Sequence, residues 1–251
     1  MKKKCNLKSL FCLAFILVCF VGVLYYSFQI LMWISHVDEN KKIESEFKQA
    51  VSVVELTIDS ADTKEALQVD FDLLKSMNPD TVAYLNVFDT SIDYPVVRGN
   101  DNDYYLKHNF EKQWNVAGWV FADYKNKFDG SDKNIVIYAH NMMDGSMFGS
   151  LKQVLNKEWE ENAKSKVIQF ITENGIFDYQ VFSTYIIDPE EKYIQTSFQN
   201  DEEFASFIEV MKSRSSFDYG VEVSSKDHIL TLSTCTFNGE QRVVLHAKRL
   251  E

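Results

Sequence analysis

The chain has 251 residues, and its 37 acidic side chains outnumber its 26 basic ones, which gives a formal net charge of −11 at neutral pH. This balance argues against nucleic-acid binding, because such binding depends on clustered lysine and arginine. The length suffices for one catalytic domain after a membrane segment, and no internal repeat or low-complexity tract indicates a second domain.

The first predicted element is a transmembrane helix over residues 10–34. This stretch has no charged side chain, and at 1.5 Å per residue it forms a helix of about 37 Å, enough to cross a hydrocarbon core of about 30 Å. Tyr25, Tyr26 and Trp33 crowd its distal half, as in the aromatic belt of a membrane interface. A cleaved signal peptide is the alternative, but its apolar core would be shorter and would end at small residues. The pattern therefore favours an uncleaved anchor.

Residues 1–9 form a basic tail that sets the predicted orientation. Its lysines precede the apolar segment, so the positive-inside rule predicts a cytoplasmic N-terminus and an extracellular location for everything after Ser35. Cys5, Cys12 and Cys19 are spaced seven residues apart and therefore share one helix face. We expect them to face lipid or to pack.

Residues 35–78 are predicted to be a helical extension between the anchor and the catalytic domain. Apolar residues at near-helical spacing predict a first helix from Val37 to Ile58. A second periodic stretch runs from Leu67 to Leu74 and stops at Asn78-Pro79, because proline disfavours helix in the residue before it. A solvated stalk is the alternative for the first helix.

Residues 79–251 are predicted to form a mainly β catalytic barrel with one added helix. Short β-rich runs alternate with Asp, Asn and Gly positions that are typical of turns. About eight such strands indicate a closed or nearly closed barrel. The helix is predicted by an apolar stripe from Phe204 to Met211 that follows a run of acidic residues. The predicted strands are Val82–Val87, Tyr94–Val97, Gly118–Phe121, Ile135–Ala139, Lys166–Ile171, Phe177–Ile187, Asp227–Ser233 and Arg242–Lys248.

Outside the apolar segment and its basic tail the sequence has one cysteine, Cys235. In an exported domain a thiol without an internal partner is either buried and structural or free and reactive. Cys235 ends a predicted strand, Arg242 begins the next one, and His140 closes an upstream strand. Residues just beyond strand ends are rigidly held and still exposed, which suits catalysis. Spacing alone does not decide between the two interpretations.

These three residue types together suit the transfer of an acyl group. A thiolate is a nucleophile. An imidazole can give a proton to a leaving amine and take one from an incoming amine. A guanidinium stays charged and can donate to a carbonyl oxygen that becomes an oxyanion. Together they could break an amide through a thioester and pass the acyl part to an amine.

The motifs around these residues resemble those of the sortases. The run TLSTC at Thr231–Cys235, an arginine opening the next strand, and Tyr-x-His at residues 138–140 are highly specific in combination. The resemblance covers roughly residues 40–250. Further runs are similar to class B sortases: Asn78-Pro79-Asp80, Ile92–Val97, Asp101–Leu106, and His140–Met142 with Gly145–Phe148.

The resemblance implies an eight-stranded sortase-type β-barrel with an N-terminal helix pair and one helix before the cysteine strand. It also implies a membrane-anchored cysteine transpeptidase of Gram-positive bacteria that cleaves a C-terminal sorting signal of surface proteins after threonine. In class B the signal usually looks like Asn-Pro-x-Thr-x. The acceptor is generally a cell-wall peptide amine, although some relatives polymerise pilins. No cofactor or metal is expected.

The same resemblance assigns roles to individual residues. Cys235 is expected to be the nucleophile, His140 the acid and base, and Arg242 the group that stabilises the carbonyl and the oxyanion. Ala139 departs from the glycine that often precedes the histidine, and its methyl group could narrow the groove. The expected substrate-groove residues are Tyr138, Ser233, Asn102 and Leu106.

The alternatives to a sortase-type transpeptidase are another cysteine enzyme and an inactive binding protein. A papain-like protease would show a Cys-Gly-Ser-Cys signature, and an L,D-transpeptidase a histidine close before the cysteine; the sequence has neither. A catalytically inactive, membrane-anchored binding or scaffold protein would not need the three catalytic residue types. The other histidines and the acidic pairs are expected to be structural or solvated: His36, His108, His228, His246, Asp101 with Asp103, and Asp188 with Glu190 and Glu191.

Overall fold

The computed structural model describes residues 7–59, 62–162, 166–190, 192–236 and 239–250. The chain divides into two compact units, residues 1–42 and residues 43–251. The first helix, α1 (Leu7–Phe47), begins in the small unit and ends in the large one. Among the described residues, one helical stretch (Leu10–Ala50) is long and apolar enough to cross a membrane, with a mean hydropathy of 2.4 in its most apolar window.

The prediction of a helix from Val37 to Ile58 is wrong beyond Phe47. A short 3₁₀ turn follows α1, and strand β1 (Val51–Asp59) then pairs antiparallel with β2 (Asp62–Val69), with Val51 opposite Val69. β1 is rich in valine, threonine and isoleucine, and β-branched side chains favour strands over helices. The spacing of its apolar residues fits a helix only by coincidence. The predicted helical extension therefore contains a β-hairpin.

The second predicted helix exists but begins later than its apolar pattern indicated. Helix α2 spans Phe71–Met77, whereas Leu67 belongs to β2. Asp70 is the N-cap, and its side chain accepts a hydrogen bond from the backbone N–H of Leu73 at 2.9 Å. This cap satisfies a helix donor that would otherwise be unpaired, so it fixes where the helix starts.

Eight strands close into a barrel in the order β10-β8-β7-β3-β4-β5-β6-β9. The side chains that fill it are almost wholly buried, as with Leu85, Phe170 and Leu245. The prediction of a mainly β barrel is confirmed, and its strands are β3 (Thr81–Val87), β4 (Asp93–Val97), β5 (Phe121–Ala122), β6 (Asn134–Tyr138), β7 (Val167–Thr172), β8 (Gly175–Ile187), β9 (Ile229–Cys235) and β10 (Arg242–Arg249).

One predicted strand is misplaced. Gly118–Phe121 was expected to be a strand, but β5 has only Phe121 and Ala122. Gly118 has a φ of +57°, and the N–H of Trp119 donates to the carbonyl of Tyr105 instead of to a neighbouring strand. The run is rich in β-forming residues, yet its first half hydrogen-bonds to the loop that contains Tyr105.

Two further helices pack on or near the barrel. Helix α4 (Asp201–Arg214) agrees with the predicted helix before the cysteine strand, and its buried stripe packs with Phe182 and Val244 on the outside of the barrel. Its N-cap, Asn200, accepts from the N–H of Glu203 at 2.9 Å. The short helix α3 (Lys157–Glu161) carried no clear sequence signal.

Candidate active site

The predicted catalytic residues meet at one edge of the barrel because of strand direction. β6 and β9 run parallel, with Tyr138 beside Ser233, so both strands end at the same edge. β10 runs back antiparallel, and Arg242 lies directly opposite Cys235. His140 follows β6 two residues after its end. Three segments distant in sequence therefore deliver their side chains to one place.

A groove with a volume of about 500 Å³ lies at this edge, a size that suits a small ligand or a short peptide. Every residue predicted for catalysis or substrate binding lines it: His140, Cys235, Arg242, Tyr138, Ser233, Asn102 and Leu106. Ala139, whose methyl group was expected to narrow the groove, also lines it. The sequence did not indicate the rest of the lining, which comes mainly from the loop after β8: Pro189, Glu190, Tyr193 and Ile194, with Phe121 and Thr234.

His140 is held by a hydrogen bond from its ring to the backbone. Nε2 lies 2.8 Å from the carbonyl oxygen of Leu106. A carbonyl oxygen can only accept, so Nε2 carries a proton and donates it, and Nδ1 is the ring nitrogen left to exchange protons. The backbone is fixed as well, because the hydroxyl of Thr234 donates to the carbonyl of Ala139 at 2.8 Å.

The carbonyl of Leu106 is itself placed by a tight contact with Gly118. Leu106 ends a short 3₁₀ segment (Tyr104–Leu106) that follows Asp101, whose carboxylate accepts from the N–H of Tyr104 at 2.8 Å. A Cβ atom on Gly118 would lie 2.9 Å from the carbonyl carbon of Leu106, closer than real contacts allow. Gly118 also has a positive φ, which favours glycine. Glycine at 118 thus lets the histidine's partner approach.

Asp123 organises two of the predicted groove residues. Its Oδ2 accepts from the hydroxyl of Tyr138 and from the side-chain amide of Asn102, each at 2.9 Å. Burial, and secondly the carboxylate of Asp123, raise the pKa of Tyr138 above its ordinary value. Tyr138 therefore stays neutral and donates. Asp123 is buried, and sequence reasoning missed it because a single aspartate in a loop forms no motif.

Tyr193 joins the loop after β8 to the cysteine strand. Its hydroxyl lies 3.1 Å from the hydroxyl of Ser233, and both side chains are buried. Burial raises the pKa of Tyr193, and the positive charge of Arg242 acts in the opposite direction. The groove wall formed by this loop is thereby fixed to a residue two positions before Cys235.

The thiol of Cys235 is half-exposed and is not in a disulfide. Arg242 is also half-exposed, and its Nη1 donates to the backbone carbonyls of Gln241 at 3.1 Å and Gly239 at 3.3 Å. Within the described ranges, no carboxylate pairs with Arg242 and no group of three or more His, Cys, Asp or Glu side chains could hold a metal. The guanidinium keeps donors available for a ligand in the groove.

Known proteins similar to this chain identify its family. The family model "Sortase domain" matches residues 85–250. Sortase B of Listeria monocytogenes is 38% identical over 201 residues, which covers 78% of this chain and 79% of that protein.

Solved structures are similar in fold as well as in sequence. Sortase B of Clostridium perfringens is 35% identical with a TM-score of 0.69, over 72% of this chain and all of that structure. A sortase B–substrate complex from Staphylococcus aureus is 34% identical with a TM-score of 0.68, over 72% of this chain and 84% of that one. The chain therefore belongs to the sortase family, where it is similar to sortase B, and it is a cysteine transpeptidase of the sortase type.

Proposed function

We propose that this chain cleaves a C-terminal sorting signal of surface proteins after threonine and transfers the acyl part to an amine of a cell-wall peptide. The observation that carries the proposal is the meeting of Cys235, His140 and Arg242 at the edge of one groove. No metal or cofactor is needed for this reaction, since the three side chains supply the nucleophile, the proton transfer and the positive charge.

In the first half of the reaction the sulfur of Cys235 attacks the carbonyl carbon of the threonine. The carbonyl oxygen becomes an oxyanion, and the guanidinium of Arg242 donates to it. The proton of the thiol passes to Nδ1 of His140 and then to the leaving amine as the C–N bond breaks. Nδ1 does this work because Nε2 is already bonded to Leu106. A thioester on Cys235 remains.

The second half reverses these steps with a different amine. The acceptor amine attacks the thioester carbon and gives its proton to Nδ1 of His140. The C–S bond breaks, and the proton returns to the sulfur of Cys235. A new amide joins the threonine to the acceptor, and the enzyme is restored.

The groove offers both polar and apolar contacts to an extended peptide. Asn102 and Tyr138, both held by Asp123, offer polar contacts, whereas Leu106 and Ile194 offer apolar surface. This mixture fits a signal of the type Asn-Pro-x-Thr-x that the class B resemblance implies. The similar structure of Staphylococcus aureus sortase B is a complex with substrate, which supports substrate binding by this fold.

The apolar segment gives the proposed location. We propose that residues 10–34 anchor the chain in the cell membrane as a single span, with the basic tail in the cytoplasm and the catalytic domain outside. The length and hydropathy of Leu10–Ala50 support the span, and the lysines before it support the orientation. The substrates and the wall acceptor would then meet the groove on the outer side.

The direct test is turnover of sorting-signal peptides by the full chain in detergent micelles. A panel varied at each position of Asn-Pro-x-Thr-x, with hydroxylamine or an added amine as acceptor, would be read by mass spectrometry. We expect cleavage after threonine and a product that carries the acceptor. Cys235→Ala and His140→Ala should each abolish turnover while leaving the far-ultraviolet circular dichroism unchanged. Full-rate cleavage by the Cys235→Ala protein would contradict the proposed mechanism.

A further inference from the structure

A second cavity, of about 330 Å³, lies at the opposite end of the barrel from the groove. β10 runs from Arg242 at the groove to Arg249 at this cavity. At about 3.3 Å per residue those ends are roughly 23 Å apart. The two cavities share no lining residue, so this one is separate from the proposed catalytic site.

Arg249 brings a positively charged side chain to the lining of this cavity. Its guanidinium carbon lies 3.9 Å from the centre of the Phe177 ring, a cation–π contact. Within the described chain no carboxylate pairs with that guanidinium and no hydrogen bond uses its donors. A guanidinium packed against an aromatic ring can still present its edge donors in the fork geometry that matches a carboxylate.

The two carboxylates in the lining are already occupied by other partners. Asp132 is buried and accepts from the backbone N–H groups of Lys127 at 2.9 Å and Phe128 at 2.8 Å. Asp129, at the exposed rim, accepts from the N–H and the hydroxyl of Ser131. Neither neutralises Arg249 directly, but their charges disfavour a doubly charged anion such as phosphate.

Aromatic side chains form much of the remaining lining, which also includes Ile135, Thr172 and Asn174. Phe170 and Tyr179 are buried behind the cavity, their rings 6.1 Å apart and perpendicular, and Phe128 lies 6.4 Å from Phe170. His228 also lines the cavity, and its Nδ1 donates to the carbonyl of Asp132 at 2.7 Å. A partly aromatic cavity in which a guanidinium has no ion-pair partner among the described residues has the features of a site for a small organic anion.

We propose that this cavity binds the single carboxylate of a small molecule or chain terminus with an aromatic or apolar body. Arg249 would hold the carboxylate, and the aromatic walls would cover the body. The proposal does not depend on the reaction in the groove.

The test uses 3-phenylpropionate as the probe and 3-phenylpropionamide as its uncharged match. Ligand-observed NMR would measure their dissociation constants on the full chain in neutral detergent micelles. Arg249→Gln protein in the same micelles gives the background from probe that partitions into detergent. We expect millimolar binding of the acid, and at least about tenfold weaker binding of both the amide and the acid on Arg249→Gln, because a charge-assisted pair is lost. Blocking Cys235 with a small methanethiosulfonate should leave acid binding unchanged.

Three results would overturn the proposal. The first is an equal dissociation constant for the acid and the amide on the wild-type chain. This comparison needs no variant, so it remains valid even if the Arg249→Gln protein folds poorly. The second is loss of acid binding after the thiol is blocked, which would assign the probe to the groove. The third is tighter binding of inorganic phosphate than of the acid, which would assign the wrong chemical class.

Discussion

Acidification should destabilise the folded domain through one buried histidine, His246. This residue lies on β10, which also carries Arg242, and its side chain is completely buried. Burial, and secondly the nearby positive charge of Arg214, lower the pKa of His246 from 6.5 to about 3. The hydrogen bonds also suit the neutral ring, because the hydroxyl of Thr231 donates to Asn134 and therefore accepts from Nδ1 of His246 at 2.8 Å. Nε2 is then free to accept from Tyr185 at 2.8 Å.

The sign and size of the effect follow from these pKa values. The unfolded chain takes up a proton below about pH 6.5, whereas the folded chain does not until about pH 3, so stability is lost as the pH falls through this window. Between pH 7.5 and pH 5.5 the loss is about 1.4 kcal/mol. For a domain of this size that lowers the melting temperature by about 4 °C.

The measurement compares the pH dependence of unfolding in wild type and in His246→Gln. Thermal unfolding of the full chain in detergent, followed by circular dichroism, should show the drop between pH 7.5 and 5.5 in wild type only. The variant will be less stable overall, so the slope against pH is the informative quantity. Asp101, Asp129 and Asp227 have lowered pKa values and lose their contribution only at more acidic pH. Equal slopes in the two proteins would show that His246 is not the group responsible for the loss of stability.

Three further predictions concern the groove. Gly118→Ala should lower kcat by at least about tenfold, because the added methyl group displaces the Leu106 carbonyl that holds His140. Gly130→Ala is the control: Gly130 also has a positive φ, but a Cβ atom there would have no atom within 4 Å, so only the free energy of unfolding should fall, by about 1–2 kcal/mol. Arg242→Ala should lower kcat by a factor of about 10²–10³, measured with saturating peptide. A negligible effect would show that Arg242 has only a structural role. Tyr193→Phe should raise KM more than it lowers kcat, because the groove wall loses its bond to the cysteine strand; equal falls in kcat and kcat/KM would contradict that role.

Most of the barrel could be predicted from the sequence because its strands are short, β-branched and separated by turn residues. The segment after α1 could not, since the apolar residues of Val51–Asp59 fit two periods and only the pairing with β2 decides between them. The strand prediction for the run beginning at Gly118 was wrong for a related reason. The run has strand-forming residues, but in its first half Trp119 hydrogen-bonds to Tyr105 and Gly118 lies against Leu106. In both places tertiary contacts override local propensity.

The sequence predicts which motif residues line the groove, but it does not predict the contacts that hold them in place. The motifs predict Cys235, His140 and Arg242 as catalytic residues, and in the structure Cys235 ends β9, Arg242 begins β10 and His140 lies just after β6. Asp123 and Tyr193 were missed, since a single buried carboxylate and a tyrosine in a polar loop carry no pattern of their own. Their importance appears only when the fold brings them to the groove residues.

Trapping the intermediate would test whether Cys235 carries the acyl group. The full chain would be mixed with a sorting-signal peptide without added amine, quenched in acid, and digested for mass spectrometry. We predict an adduct of the peptide up to its threonine on the fragment that contains Cys235, removed by hydroxylamine and absent from Cys235→Ala. A Cys12→Ser, Cys19→Ser variant should keep the adduct. Cleavage of the peptide with no adduct on Cys235, or with the adduct on another residue, would contradict the account.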